Sequence, residues 1–157
     1  HHPSTRLALR GLQELSVTGC DILDLGTGSG VLAVAAIRLG ARQVTALDRD
    51  PDAIDSARET LAENDLDQKV RLGVADIEAL VHAPAPVLLA NLTGTALIRL
   101  ATTLSRLTAP GGAMVLSGIL AVEAEALAET YQEIGTLAWR AQEDEWVGMV
   151  WTTASPT

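Results

Sequence analysis

A single cysteine, Cys20, stands in these 157 residues. No internal disulfide is therefore possible, and the chain points to a reducing, cytoplasmic compartment. No apolar run is long enough to span a membrane, and the first residues lack the charged-then-apolar pattern of an export signal. Basic residues are scarce: 11 Lys and Arg against 20 Asp and Glu give a formal net charge of −9. Such a balance argues against a nucleic-acid substrate held through its phosphates. It favours a cationic cofactor or a basic protein partner, although a merely solubilising surplus accounts for it equally well. Repeats, low-complexity tracts and long linkers are missing too, so a second domain is not expected. What remains, 48% hydrophobic and 20% charged, is ordinary for one soluble α/β domain with a substantial core.

The chain is organised around Asp21-Ile22-Leu23-Asp24-Leu25-Gly26-Thr27-Gly28-Ser29-Gly30. This stretch reads as a buried strand running into a glycine-rich turn, and Val31 to Leu39 follows as an apolar helix. Strand, turn and helix together make a cradle for a nucleotide-type cofactor. Glycines at 26, 28 and 30 allow left-handed backbone and close approach of a ligand to the amides. Asp48 ends the next strand, Gln43 to Leu47, 22 residues after Gly26, where a carboxylate can take both ribose hydroxyls. A dinucleotide fingerprint would place its third glycine at Val31. Finding it at position 30 favours S-adenosylmethionine over NAD. The competing reading is a tight strand-to-helix turn with no ligand.

Arg6 to Leu15 presents leucines 7, 9, 12 and 15 to one face of a helix that Ser4 or Thr5 can cap. Asp50 and Pro51 open a helix reaching about Asn64, with Ile54, Ala57, Leu61 and Ala62 inward. Lys69 to Val74 is a third strand. Asp76 follows its end with Ile77 beside it, and serves either adenine recognition through the exocyclic amine or a cap for the short segment to Leu80. Pro86 to Asn91 is a fourth strand that delivers one amide, Asn91, to the same sheet edge. Thr93 to Thr108 reads as a helix with Leu97, Leu100, Leu104 and Leu107 in the core. Pro110 to Gly112 turns into a fifth strand, Ala113 to Gly118. Helix Val122 to Ile134 carries glutamates 123, 125, 129 and 133 on a solvated face. Thr136 to Gln142 and Glu145 to Thr152 form a closing hairpin with Trp139, Trp146 and Trp151 as packing residues. Asp144, Glu145 and Trp146 are weaker site candidates, and Cys20 reads as a small core residue. The predicted fold is α/β: a doubly wound, mostly parallel, seven-stranded Rossmann-like sheet with an antiparallel last strand.

Four segments carry a resemblance. His1-His2-Pro3-Ser4-Thr5-Arg6-Leu7 resembles the end of a GTGxHxTTRL motif, Asp24 to Gly30 a cofactor loop, Ala90-Asn91-Leu92 a motif after strand four, and Ser117-Gly118-Ile119-Leu120 with Glu143-Asp144-Glu145-Trp146 a carboxyl-terminal signature. Together they are similar to the ribosomal protein L11 methyltransferase family, within the class I S-adenosylmethionine-dependent methyltransferases. The likeness also makes the leading histidines native rather than a tag remnant. It implies that Asp48 binds ribose, Asp76 and Ile77 the adenine, and the 26–30 loop with Gly26, Thr27, Gly28 and Gly30 the methionine end, with Asp24 also among the cofactor-binding residues. Asn91 would line both cofactor and methyl-transfer site with Thr5 nearby, and no metal is implied. Family members carry an amino-terminal domain that recognises L11. The sequence starts inside the first motif, so residues 1–157 are expected to be the methyltransferase domain with that recognition domain absent or truncated.

The leading function is methyl transfer to protein amino groups, a lysine side chain or an α-amine, on ribosomal protein L11 or a similar basic protein. Methyl transfer to a small molecule or nucleic acid is the second class, with nucleic acid disfavoured as a direct substrate. A non-catalytic S-adenosylmethionine-binding module is the third.

Overall fold

A computed structural model describes residues 1–155. The final two positions of the expected 1–157 domain lie outside the described residues. Helix α1 (Pro3–Gln13) precedes β1 (Asp21–Leu25), α2 (Val31–Arg38), β2 (Gln43–Asp48), α3 (Pro51–Glu63), β3 (Val70–Val74) and β4 (Ala85–Asn91). Then come α4 (Gly94–Arg99), α5 (Ala101–Arg106), β5 (Thr108–Leu120), α6 (Ala124–Gln132), β6 (Gly135–Glu143) and β7 (Trp146–Thr153). Seven strands form one sheet in the order β3-β2-β1-β4-β5-β7-β6. Neighbours from β3 to β5 are parallel, and β7 runs antiparallel to both β5 and β6. This is the doubly wound architecture that the strand and helix series predicts.

Two apolar layers flank the sheet. On one face Ala8 and Leu12 of α1, Leu32, Ala33, Ala36 and Ile37 of α2 and Leu61 of α3 pack on Ile22, Val44, Leu89 and Val115. On the other, Leu97, Leu104, Leu127 and Tyr131 from α4, α5 and α6 pack on Leu23, Leu88, Met114 and Met149. Alternation along each strand sends odd and even positions to opposite layers, so the helices on either side are held by different side chains of the same strands. Tyr131 is buried with its hydroxyl donating to the Leu97 carbonyl at 2.7 Å, which ties α6 to α4.

Several boundaries differ from expectation. The cap of α1 is His2, whose Nδ1 accepts from the Ser4 amide at 3.0 Å. Pro3, with its preset φ, starts the helix before Ser4 and Thr5, and Ser4 becomes a buried residue of the first turn. Asp50 does cap α3, accepting from the Asp52 amide at 2.9 Å, but Ala62 is exposed. The expected helix 93–108 is two short helices that meet at Leu100, with all four core leucines buried. Pro110 to Gly112 lies within a longer β5, and a register shift opposite Ala85 and Val87 absorbs the turn. Cys20 is half-buried and lines a shallow cleft of about 310 Å³ with Pro86 and Pro110, rather than sitting in the core.

Candidate functional site

Successive strands leave β1 in one direction towards β3, and β4 starts the other half of the sheet beside β1. Connections on opposite faces open a crevice outside the carboxyl ends of the strands at that reversal. A cavity of about 540 Å³ fills it, lined by Gly26, Asp48, Asp76, Ile77 and Asn91 among others. Two carboxylates, one amide and the first glycine of the turn, from the ends of four different strands, therefore converge on a single crevice.

The turn after β1 is held by the end of β2. Gly26 and Thr27 amides both donate to the Leu47 carbonyl, at 2.9 and 3.0 Å. The Gly28 amide donates to Asp48 Oδ2 at 3.0 Å, and the Asp50 amide to Asp48 Oδ1 at 3.0 Å. Asp48 is thus oriented by two backbone donors while still facing the cavity. A side chain at Gly26 would bring Cβ to 2.6 Å from Leu92 Cδ2, so the bare backbone lets the loop after β4 close on the turn. Asp76 Oδ1 accepts from the Glu78 amide at 3.1 Å and caps the short 3₁₀ turn at Ile77–Ala79. Its capping geometry and its place on the cavity wall coexist.

The other expected residues lie outside the lining. Asp24 is fully buried under the turn, where the Thr27 hydroxyl donates to its Oδ2 at 2.8 Å. Its Oδ1 has no partner among the described residues. Burial pushes the Asp24 carboxyl up to about 7; the Thr27 bond opposes this and the nearby Asp48 charge adds to it. Gly28 is half-buried above open space. Gly30, at φ +83, precedes α2, and a Cβ there would sit 3.2 Å from Ala57 Cβ, so it serves close packing of α2 on α3. Thr5 lies in the first turn of α1, its amide donating to the His2 carbonyl at 3.0 Å.

That first turn is bound to the β6–β7 hairpin. Arg6 Nε donates to Glu143 Oε1 at 2.9 Å, and this bond holds the Glu143 carboxyl below its usual range. The His2 ring meets Trp146 edge-on at 4.7 Å between centroids. Trp139 lies under the Arg10 guanidinium, 5.7 Å from ring centroid to Cζ, and Trp151 is buried. Asp144, Glu145 and Trp146 stand outside the cavity lining.

Arg49, Glu78, Leu92, Thr93 and Arg99 also line the cavity, and sequence reasoning missed them. Arg99 of α4 forms an ion pair with Glu78 beyond β3. Arg49 had one available signal, its place next to Asp48; Glu78 and Arg99 pair across 21 positions with no local pattern to announce it. Glu123 departs from the expected solvated face. It is half-buried, and its Oε1 accepts from the Leu120 amide at 2.9 Å.

A doubly wound seven-stranded sheet with a reversed β7, a glycine turn after β1 and an acid at the tip of β2 defines the Rossmann-like methyltransferase class. A solved ribosomal protein L11 methylase from Lactobacillus delbrueckii subsp. bulgaricus has the same fold, with a TM-score of 0.92 and 26% identity over 99% of this chain and 80% of that one. Within that class the chain belongs to the family described as Ribosomal protein L11 methyltransferase (PrmA), whose model matches residues 1–154. The ribosomal protein L11 methyltransferase of Geobacter metallireducens is 43% identical over 92% of this chain and 48% of its own length. That of Pelobacter propionicus is 44% identical over 98% of this chain and 52% of its own length. The chain therefore spans about half the length of the curated relatives it matches. An RNA methyltransferase from Salinibacter ruber, solved with S-adenosyl-L-homocysteine, shares the fold at a TM-score of 0.80 and 18% identity, over 100% of this chain and 95% of that one. No helix among the described residues is long and apolar enough to cross a membrane.

Proposed function

We propose that this chain is the methyl-transfer domain of a protein N-methyltransferase that uses S-adenosylmethionine and, in its full-length form, modifies amino groups of ribosomal protein L11 or a similar basic protein. The observation that carries the reading is the convergence of Asp48, Asp76, Ile77 and Asn91 on one cavity beside Gly26. Its volume of about 540 Å³ suits a nucleoside-sized ligand. The donor set fits as well: Asp48 keeps lone pairs for ribose hydroxyls, and Asp76 with Ile77 offers an acceptor and an apolar contact for adenine. Asp24, by contrast, is buried beneath the turn outside the cavity lining, and supports the turn by accepting from the Thr27 hydroxyl. Names of the family relatives point to L11 as the substrate.

S-adenosylmethionine supplies a methyl group already activated on a sulfonium. What the chain must do is hold an amine in line and exclude water. A lysine amine with a pKa of about 10.4 costs roughly 4 to 5 kcal/mol to deprotonate at neutral pH, an α-amine near 7.7 only about 1. Partial desolvation at the cavity mouth lowers that cost by disfavouring the ammonium. Asn91, through its side-chain oxygen or its backbone carbonyl, accepts a hydrogen bond from the amine and aims the lone pair.

Titration calorimetry with S-adenosylhomocysteine on wild type, Asp48→Ala and Asn91→Ala tests the assignment, together with labelled-cofactor assays on L11 and a panel of basic proteins, small molecules and RNA. Asp48→Ala is expected to weaken binding more than turnover, and Asn91→Ala the reverse. Equal affinity in wild type and Asp48→Ala refutes the ribose role. Label entering RNA and no protein refutes the substrate class.

A further inference from the structure

The segment Asn91-Leu92-Thr93, which carries the proposed amine acceptor, is a short bridge between β4 and α4, and three neighbours have shed bulk or placed a carboxylate to receive it. One is the turn at Gly26, already described. A second is Gly118. Pairing of β5 with β7 shifts register between Leu116 and Ile119, and Gly118 sits in that irregularity at φ +89. A Cβ there would fall 2.0 Å from the Leu92 carbonyl oxygen and 3.2 Å from Asn91 Oδ1. No L-residue fits this site unless the Leu92–Thr93 peptide moves, and the backbone conformation itself resists a side chain. Just before it, the Ser117 carbonyl accepts from the Leu92 amide at 3.1 Å, and Ser117 is the register partner of Asn91.

Glu123 is the third. Its Oε1 accepts from the Leu120 amide, and its Oε2 accepts from the Thr95 hydroxyl at 3.5 Å. The carboxylate also lies where a Cβ on Gly94 would be, 2.6 Å from Oε1. It thereby fastens the first turn of α4 to the end of β5, immediately downstream of Asn91 and Leu92. A glutamate on a merely solvated face would make none of these contacts.

We propose that Gly118 and Glu123 are positioning residues for methyl transfer: by seating the Asn91–Thr93 segment against the end of β5, they fix the direction of the Asn91 amide. The inference rests on the reading of Asn91 as the group that orients the amine, in the form in which its side-chain oxygen does so. It adds that this orientation is set from β5 and from the turn before α6, outside the cavity. Neither residue lines the cavity, so neither is expected to alter cofactor affinity directly.

The test measures kcat, KM for the protein substrate and affinity for S-adenosylhomocysteine in the full-length protein carrying Gly118→Ala, Glu123→Ala or Glu123→Gln, each alone and combined with Asn91→Ala. A displacement of the order of an ångström at a reacting geometry costs about 100-fold in rate. Gly118→Ala is therefore expected to lower kcat by about 100-fold with cofactor affinity within about twofold of wild type. In the Asn91→Ala background the same change is expected to lower kcat no further, because the group it positions is gone. Should Gly118→Ala fail to fold, Glu123→Ala carries the test with a kcat loss of about tenfold, rescued by Glu123→Gln, which keeps an acceptor for Leu120. Losses that multiply fully with Asn91→Ala, or cofactor affinity that falls as far as turnover, overturn the proposal. Normal Asn91→Ala turnover would instead bring down the reading on which it rests.

Discussion

Replacing Asp24 by asparagine should remove most of the pH dependence of stability between weakly acid and neutral conditions. In the native protein the Asp24 carboxyl is fully buried and titrates at about 7, raised from 3.8 chiefly by desolvation. The folded state therefore keeps a proton that the unfolded chain gives up near pH 4. Stability from this group is fully present below the unfolded value and is lost as pH rises through the folded one. Roughly three pH units at about 1.4 kcal/mol each make the total about 4 kcal/mol. Asparagine matches the protonated acid in shape and keeps an oxygen to accept from the Thr27 hydroxyl, a bond of 2.8 Å in the native protein. Urea denaturation of both proteins should give similar stabilities below about pH 4, with asparagine pulling ahead from there by up to about 4 kcal/mol by pH 8. Subtracting one curve from the other leaves the contribution of position 24. A difference that stays flat across this range refutes the claim that the group is buried as a neutral acid.

Tyr131→Phe deletes the hydroxyl that donates to the Leu97 carbonyl inside the layer of α4 and α6; the expected loss is about 1 to 1.5 kcal/mol, read from the denaturation midpoint. Leu104→Ala empties a fully buried position between α5 and the sheet, and is expected to cost about 2 to 5 kcal/mol in the same assay. A smaller loss at Leu104 would mean that the two short helices collapse into the space.

Strand ends were legible because period and punctuation coincide there. Asp48, Asp76 and Asn91 each interrupt an apolar run at its carboxyl end, and parallel topology then brings such positions together wherever the chain places them in sequence. The cavity follows from that logic, as does the hairpin around Asp144, which adopts φ +54 at the turn. Legibility failed where a tertiary partner decides the outcome. His2 caps α1 although the ordinary capping residues Ser4 and Thr5 lie just beyond, because Pro3 fixes where the helix begins. Glu123 shares a glutamate-rich helix pattern with 125, 129 and 133, and only the neighbouring Gly94 and the free Leu120 amide distinguish it. Arg99 and Glu78 meet across the cavity wall, and neither residue's local context contains the other. Periodicity encodes which face a residue occupies; it does not encode which charged side chain waits on the adjoining element.

Asp48 shows how a ligand group and a structural group can be one. Each of its carboxylate oxygens already accepts one backbone amide, Gly28 on Oδ2 and Asp50 on Oδ1, and each retains a further lone pair directed elsewhere. The two bonds orient the carboxylate before any ribose arrives, so little ordering remains to be done on binding. They also mean that Asp48→Asn is no conservative change: whichever way the amide is turned, its NH₂ meets a backbone N–H, and one of those donors loses its acceptor. A lost acceptor of this kind costs about 1 to 3 kcal/mol. The variant is therefore expected to unfold at lower urea concentration even without ligand, with the loss measured near pH 5, where Asp24 is neutral and relief of its repulsion with Asp48 contributes little. If Asp48→Asn weakened cofactor binding while leaving the stability of the free protein untouched, Asp48 would be a ligand contact alone and the glycine turn would be held by something else.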